Sequence, residues 1–149
     1  MSIDKTLVDI LSFPELSGSI ISLMDIDPVR LDKITKLAKK VIDQEGFEAA
    51  IESTTDRKQA LKDANYVILM IQIGGLDAYE LDVNIPLKYG IKQAVGDTLG
   101  PGGVFRGLRT IPVFLDICRD IQELCPDALF INYVNPMAIN CWALKGRRY

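Results

Sequence analysis

The chain has 149 residues, 48% of them hydrophobic, a size that suits one domain burying roughly 68–70% of its unfolded surface. A net charge of -3 and scattered lysines and arginines offer no basic field for a phosphate backbone, so no nucleic-acid partner is expected. No stretch reaches the roughly 20 apolar residues of a membrane span and the acidic start MSIDKTLVDI does not suit a signal peptide, so no membrane partner and a cytoplasmic location are expected.

Residues 3 to 13, IDKTLVDILSF, place Ile3, Leu7, Ile10 and Leu11 on one helical face, and Pro14 stops the run. SIISLMDID, residues 19 to 27, is an apolar run ending in two aspartates. It reads as a strand feeding a helix that Asp27 caps, Pro28 starts and Gly46 closes. The inward stripe of that helix is expected to be Leu31, Ile34, Leu37, Ala38, Val41 and Ile42. A weaker strand from Glu48 to Thr54 leads to Asp56 and a short helix, DRKQALKDA.

Tyr66 to Ile73 is a continuous apolar run, as in a parallel strand covered on both faces, and Gly74 and Gly75 open a loop at its carboxyl end. Residues 76 to 101 read as irregular apart from a helix around Val83 to Tyr89, and they lead into GDTLGPGG, residues 96 to 103. The long helix VFRGLRTIPVFLDICRDIQELC follows, with Val104, Leu108, Ile111, Leu115, Cys118 and Ile121 expected to face inward and Pro112 inside it as a candidate kink. Arg106 and Arg109, three apart on it, read as surface or ion-pair residues rather than substrate clamps. Cys118 and Cys125 lie about 10 Å apart along this helix, too far to bridge, so the cysteines read as reduced and mostly buried.

The strand ALFINYV comes last and ends at Asn135-Pro136, with MAINCWAL behind it. The residue before proline is pushed out of helical backbone space, so Asn135 sits at a strand-to-helix corner. In parallel α/β sheets such corners are where ligands bind, which makes Asn135 a candidate contact; the plain alternative is a helix cap.

Strands alternating with helices argue for a doubly wound, Rossmann-like α/β fold with a parallel sheet. Asp25, the first aspartate after the SIISLM run, fits the acidic residue that holds the adenosine ribose of a dinucleotide, with a solvated strand end as its plain alternative. Upstream of it there is no G-x-G-x-x-G and no strand, so the fold is expected to lack its first strand and its glycine-rich turn.

Four segments in order, LMDID (23–27), IQIGG (71–75), NIPLKYGIKQAVGDTLGPGGVFRGLRTIPV (84–113) and NYVNPMAINCWAL (132–144), resemble glycoside hydrolase family 4. Within it the likeness is to the alpha-galactosidase (melibiase) and alpha-galacturonidase branch. Gly96-Asp97-Thr98 stands where the phospho-glycosidase branch has Gln-Glu-Thr, which favours an unphosphorylated glycoside as substrate. The resemblance implies a hydrolysis in which NAD oxidises the sugar C3 hydroxyl to a ketone, a base takes the C2 proton, a divalent metal such as manganese steadies the enediolate, elimination and water addition follow, and the ketone is reduced again.

On this reading the resemblance assigns Asp25, the backbone of Ile73, Gly74 and Gly75, and Thr98 to the cofactor, and Asn135 and Asp97 to the substrate. The glycine pair has a plain turn as its alternative. Residues 1–149 would be a partial NAD-binding domain, without the metal-holding cysteine and histidine of relatives. The chain contains no histidine, and Cys141, where relatives commonly have threonine, reads as a buried or neutral side chain. No catalytic residue and no metal ligand is assigned. Without a first strand, the Ile20–Met24 and Val67–Ile73 strands are expected either to pair directly or to have the gap filled by an exchanged segment or another copy, as in a homo-oligomer. Two other classes stay open: a non-catalytic dinucleotide-binding remnant, and a lactate or malate dehydrogenase-like domain, against which the missing histidine speaks.

Overall fold

The computed structural model describes residues 3–146, which run α1 (Ile3–Leu11), β1 (Ile20–Met24), α2 (Pro28–Glu45), β2 (Ala50–Thr54), α3 (Arg57–Leu61), β3 (Tyr66–Leu69), α4 (Gly75–Leu87), α5 (Gly100–Leu124), β4 (Leu129–Asn132) and α6 (Met137–Lys145). This is the expected α/β alternation. The chain groups into two compact units, Met1–Lys62 and Asp63–Tyr149.

In the first unit β1 and β2 pair in parallel, from Ile20 opposite Ala50 to Met24 opposite Thr54. The helix between them is delimited as the residue types require. Asp27 is in extended backbone and accepts at Oδ1 from the amide of Val29 at 2.9 Å, and Pro28 fills the first turn. At the other end Gly46, at φ 72°, donates its amide to Ile42 C=O. Leu31, Ala38 and Ile42 of the expected stripe are buried, whereas Leu37 is 41% exposed and lies off it. Leu7 of α1, Leu23 of β1, and Leu31 and Ala38 of α2 form one buried cluster, with Ile21, Ile34 and Ile51 packed against it. Each such leucine contributes about 1.5–3 kcal/mol by leaving water. Leu11 is buried too, while the side chain of Ile3, expected on the same face, lies outside the described ones.

In the second unit β3 and β4 pair in parallel, from Tyr66 opposite Leu129 to Leu69 opposite Asn132. Among the described strands β1 bonds only to β2 and β3 only to β4, so the direct pairing of the SIISLM and YVIL strands is not formed. β3 is also shorter and less covered than expected. It stops at Leu69, and Tyr66 is 58% exposed. Beyond it Ile73 C=O is taken by the Arg109 side chain, and Gly74 and Gly75 follow at φ 82° and 60°.

Two helices differ from expectation. The segment read as irregular from residue 76 is helical from Gly75, since α4 runs to Leu87 with Asp82 on its buried side. The long helix starts at Gly100, and its packing face departs from expectation only in the first half. Val104 and Leu108 are 49% and 68% exposed while Gly102, Gly103, Gly107 and Thr110 are buried, whereas Leu115, Cys118 and Ile121 are buried as expected. Glycines form the contact there. A Cβ on Gly102 would lie 2.4 Å from Gly96 O, and one on Gly103 2.7 Å from the Thr98 carbonyl carbon. Further along, Phe114 meets Phe130 of β4 with ring centroids 5.8 Å apart and planes tilted by 50°.

Candidate functional site

The first unit carries one of the singled-out residues, Asp25, directly after the last residue of β1. Its carboxylate is held on three sides. Arg30 Nε donates to Oδ2 and Arg30 Nη2 to Oδ1, both at 2.6 Å, and the Asp27 amide donates to Oδ1 at 2.8 Å. The hydrogen bonds from Arg30, with the Asp27 amide and against the cost of burial, hold this carboxyl below the usual carboxylate value, so it is an anion at neutral pH. The Arg30 side chain that pairs with it is 56% exposed, and an ionised carboxylate at a strand end has the acceptor chemistry a ribose diol requires.

The second unit carries the other six, in two groups. Ile73, Gly74 and Gly75 form the turn from the end of β3 into α4, with Gly74 at the position that caps the helix. Ile73 C=O accepts from Arg109 Nε at 2.9 Å. A side chain on Gly74 would be strained by its φ of 82° and would meet Ala78 Cβ at 2.5 Å. At Gly75 an added Cβ would meet no atom within 4 Å. The backbone there is open to the close approach of a ligand.

Asp97, Thr98 and Asn135 form a cluster around one carboxylate. Thr98 Oγ1 donates to Asp97 Oδ1 at 3.0 Å, and Asn135 Nδ2 donates to Asp97 Oδ2 at 3.2 Å. Arg106 closes the cluster, giving Nη1 to Asp97 Oδ2 at 3.3 Å and Nε to Asn135 C=O at 3.1 Å. Asn135 is not the cap of α6. That position falls to Pro136, which follows it through a cis peptide bond, with no side-chain bond to the helix. The corner is instead shaped by Asn132, whose Oδ1 accepts from the Val134 amide, and by buried Asn140, whose Nδ2 donates to Val134 C=O.

Arg106 and Arg109 are therefore ion-pair residues, as their spacing suggested, but partly buried ones: Arg106 pairs with Asp97, and Arg109 pairs with Asp82 while also bonding Ile73 C=O. Asp82 escaped notice in the sequence. It sits among apolar neighbours in α4, and its partner Arg109 is on another helix; the one local sign was a carboxylate where an inward position falls.

Among the described residues no three His, Cys, Asp or Glu side chains converge as a metal site would require, so the residues present do not fit manganese. Cys118 and Cys125 are buried, as expected. Cys141 is exposed, not buried, with its Sγ 3.9 Å from Met137 Sδ. It is on the outward side of α6, a short helix whose buried residue is Asn140.

Among the described residues no helix is long and apolar enough to cross a membrane. The family profile described as "Family 4 glycosyl hydrolase" matches residues 2–149. The chain is 45% identical over 140 residues to an alpha-galactosidase of Rhizobium meliloti (strain 1021), covering 93% of this chain and 29% of that protein. It is 47% identical over 135 residues to an alpha-galactosidase of Bacillus subtilis (strain 168), covering 90% and 31%. A crystal structure of a 6-phospho-alpha-glucosidase from gut microorganisms, in complex with NAD and Mn2+, superposes with a TM-score of 0.81 at 30% identity, over 96% of this chain and 33% of that one. The chain thus spans about a third or less of the length of the relatives it matches.

Proposed function

We propose, starting from the fact that this chain belongs to family 4 of the glycosyl hydrolases, that it is the NAD-holding part of a glycosidase acting on alpha-galactosides or related unphosphorylated glycosides. The observation that carries this reading is the Asp25 carboxylate at the carboxyl end of a parallel strand, held as an anion by Arg30. The alpha-galactosidase relatives and the NAD in a superposable structure support it.

In this reading Asp25 accepts the ribose hydroxyls of the adenosine half. The turn at Ile73, Gly74 and Gly75 lies under the cofactor, where an absent Cβ leaves room, and Thr98 lies beside the nicotinamide. Asp97 and Asn135 take the sugar hydroxyls, Asp97 by accepting and Asn135 by donating from the amide it now gives to Asp97. NAD supplies a hydride acceptor for the sugar C3 hydroxyl. Arg106 keeps Asp97 oriented, so that a sugar hydroxyl meets a carboxylate already in place.

Isothermal titration of the chain with NAD tests this. Saturable binding that weakens by about tenfold in Asp25→Ala, roughly one hydrogen bond to a charged group, is the expected result. Binding that Asp25→Ala leaves unchanged contradicts the ribose role. Adding a nitrophenyl alpha-galactoside with manganese and a reductant is expected to give no turnover by these 149 residues, and turnover would show the machinery to be complete.

A further inference from the structure

We propose that Arg109 and Asp82 are a positioning pair that sets the Ile73–Gly75 turn and, resting on the NAD reading of that turn, the backbone the cofactor meets. The guanidinium of Arg109 divides its bonds between two partners. Nη2 and Nη1 engage Asp82 Oδ2 at 2.6 Å and Oδ1 at 3.1 Å, and Nε engages Ile73 C=O at 2.9 Å. Asp82 is fixed in turn: its side chain is 3% exposed, in the body of α4. A planar fork held at both tips by a buried carboxylate has a single direction left for its Nε–H.

That direction determines the peptide between Ile73 and Gly74. The unit is planar and trans, so aiming the carbonyl at Arg109 aims the Gly74 N–H the opposite way. A donor is thereby presented on the side away from the arginine. The turn is also pressed against the stem of the same residue, since a Cβ on Gly74 would lie 3.3 Å from Arg109 Cδ and Nε. Gly74 C=O in its turn accepts from the Ala78 amide at 3.3 Å and opens α4. One side chain on α5 thus reaches strand end, turn and helix start. A buried ion pair adds little net stability over an apolar pair of similar volume. What an apolar pair cannot supply is the bond to Ile73 C=O.

The test uses that difference. The double variant Arg109→Met with Asp82→Leu removes both charges together, so neither is left buried alone, and Arg109→Lys keeps the charge but not the fork. Amide exchange at Ala78 and NAD affinity are measured for both and for the wild type, alongside urea unfolding. The expected result for the double variant is a wild-type urea midpoint, Ala78 exchange faster by about tenfold or more, and NAD binding weaker by a similar factor, the scale of one charge-assisted bond. Arg109→Lys is expected to move exchange and affinity in the same direction, and it carries the test if the double variant does not fold. Unchanged Ala78 exchange in a folded variant overturns the proposal. Faster exchange in a protein whose wild type binds no NAD leaves the positioning of the turn standing and removes the cofactor reading. Faster exchange with unchanged NAD affinity overturns the link between the pair and the cofactor.

Discussion

Arg30 holds Asp25 at the end of β1 through two bonds of 2.6 Å, one to each carboxylate oxygen. The folded chain therefore depresses the pKa of Asp25 below its ordinary value of 3.8. A depressed carboxyl contributes stability that is present above the unfolded value and is lost as pH falls through the lower folded one. Arg30→Gln is expected to move the Asp25 titration to higher pH and to shrink that acid-side loss. A carboxyl-carbon NMR titration checks it; the same midpoint in both proteins would mean that the pair does not act on Asp25.

The two glycines of the turn are expected to respond differently to alanine. Gly75→Ala places a side chain at φ 60° in open space and should cost about 1–2 kcal/mol, the ordinary penalty of left-handed backbone. Gly74→Ala adds a contact of 2.5 Å with Ala78 Cβ and should cost clearly more. Urea unfolding of the two variants ranks them, and equal costs would show that the turn is not packed as described.

Around Asp97 the two hydrogen-bonding neighbours should differ in weight. Arg106, with a side chain 13% exposed, bonds both Asp97 and Asn135 C=O, so Arg106→Met is expected to destabilise by about 1–3 kcal/mol. Thr98 is exposed, and Thr98→Val should stay within about 0.5 kcal/mol. Chemical denaturation of both variants is the check, and the reverse order would contradict the cluster.

The cysteines give a prediction that needs no variant. Cys118 and Cys125 are buried, and burial raises their thiol pKa above 9.0, whereas Cys141 is exposed. A thiol reagent at neutral pH should label Cys141 fast in the native chain and the other two only on unfolding. Fast labelling at Cys118 would mean that the face of α5 against β4 opens.

Legibility in the sequence followed how local each determinant is. Asp27, Pro28 and Gly46 delimit α2 through bonds within a few residues of themselves, so their identities suffice. Asp25 was legible for the same reason, as the residue where an apolar run ends. The start of α4 was not, because Gly74 caps it without a side chain and buried Asp82 interrupts the apolar pattern. That carboxylate is tolerated only through Arg109, 27 positions away, a pairing that no window on α4 contains. Leu115, Cys118 and Ile121 were legible on the inward face of α5, but its first turns were not, because periodicity counts apolar side chains and these turns pack through Gly102, Gly103 and Gly107, which have none. The Asp97, Arg106 and Asn135 cluster joins a loop, a helix and a corner. Its members were individually visible, two as candidates and one as an ion-pair residue, but their mutual bonds were not.

An amide correlation spectrum recorded during an NAD titration tests the central claim most directly, because it reports residue by residue where the cofactor lands. Saturable shifts at Asp25 to Asp27 and at Ile73 to Gly75, lost together when NAD is withdrawn, are the expected result. Binding that shifts neither group, or shifts confined to surfaces away from both strand ends, would contradict it.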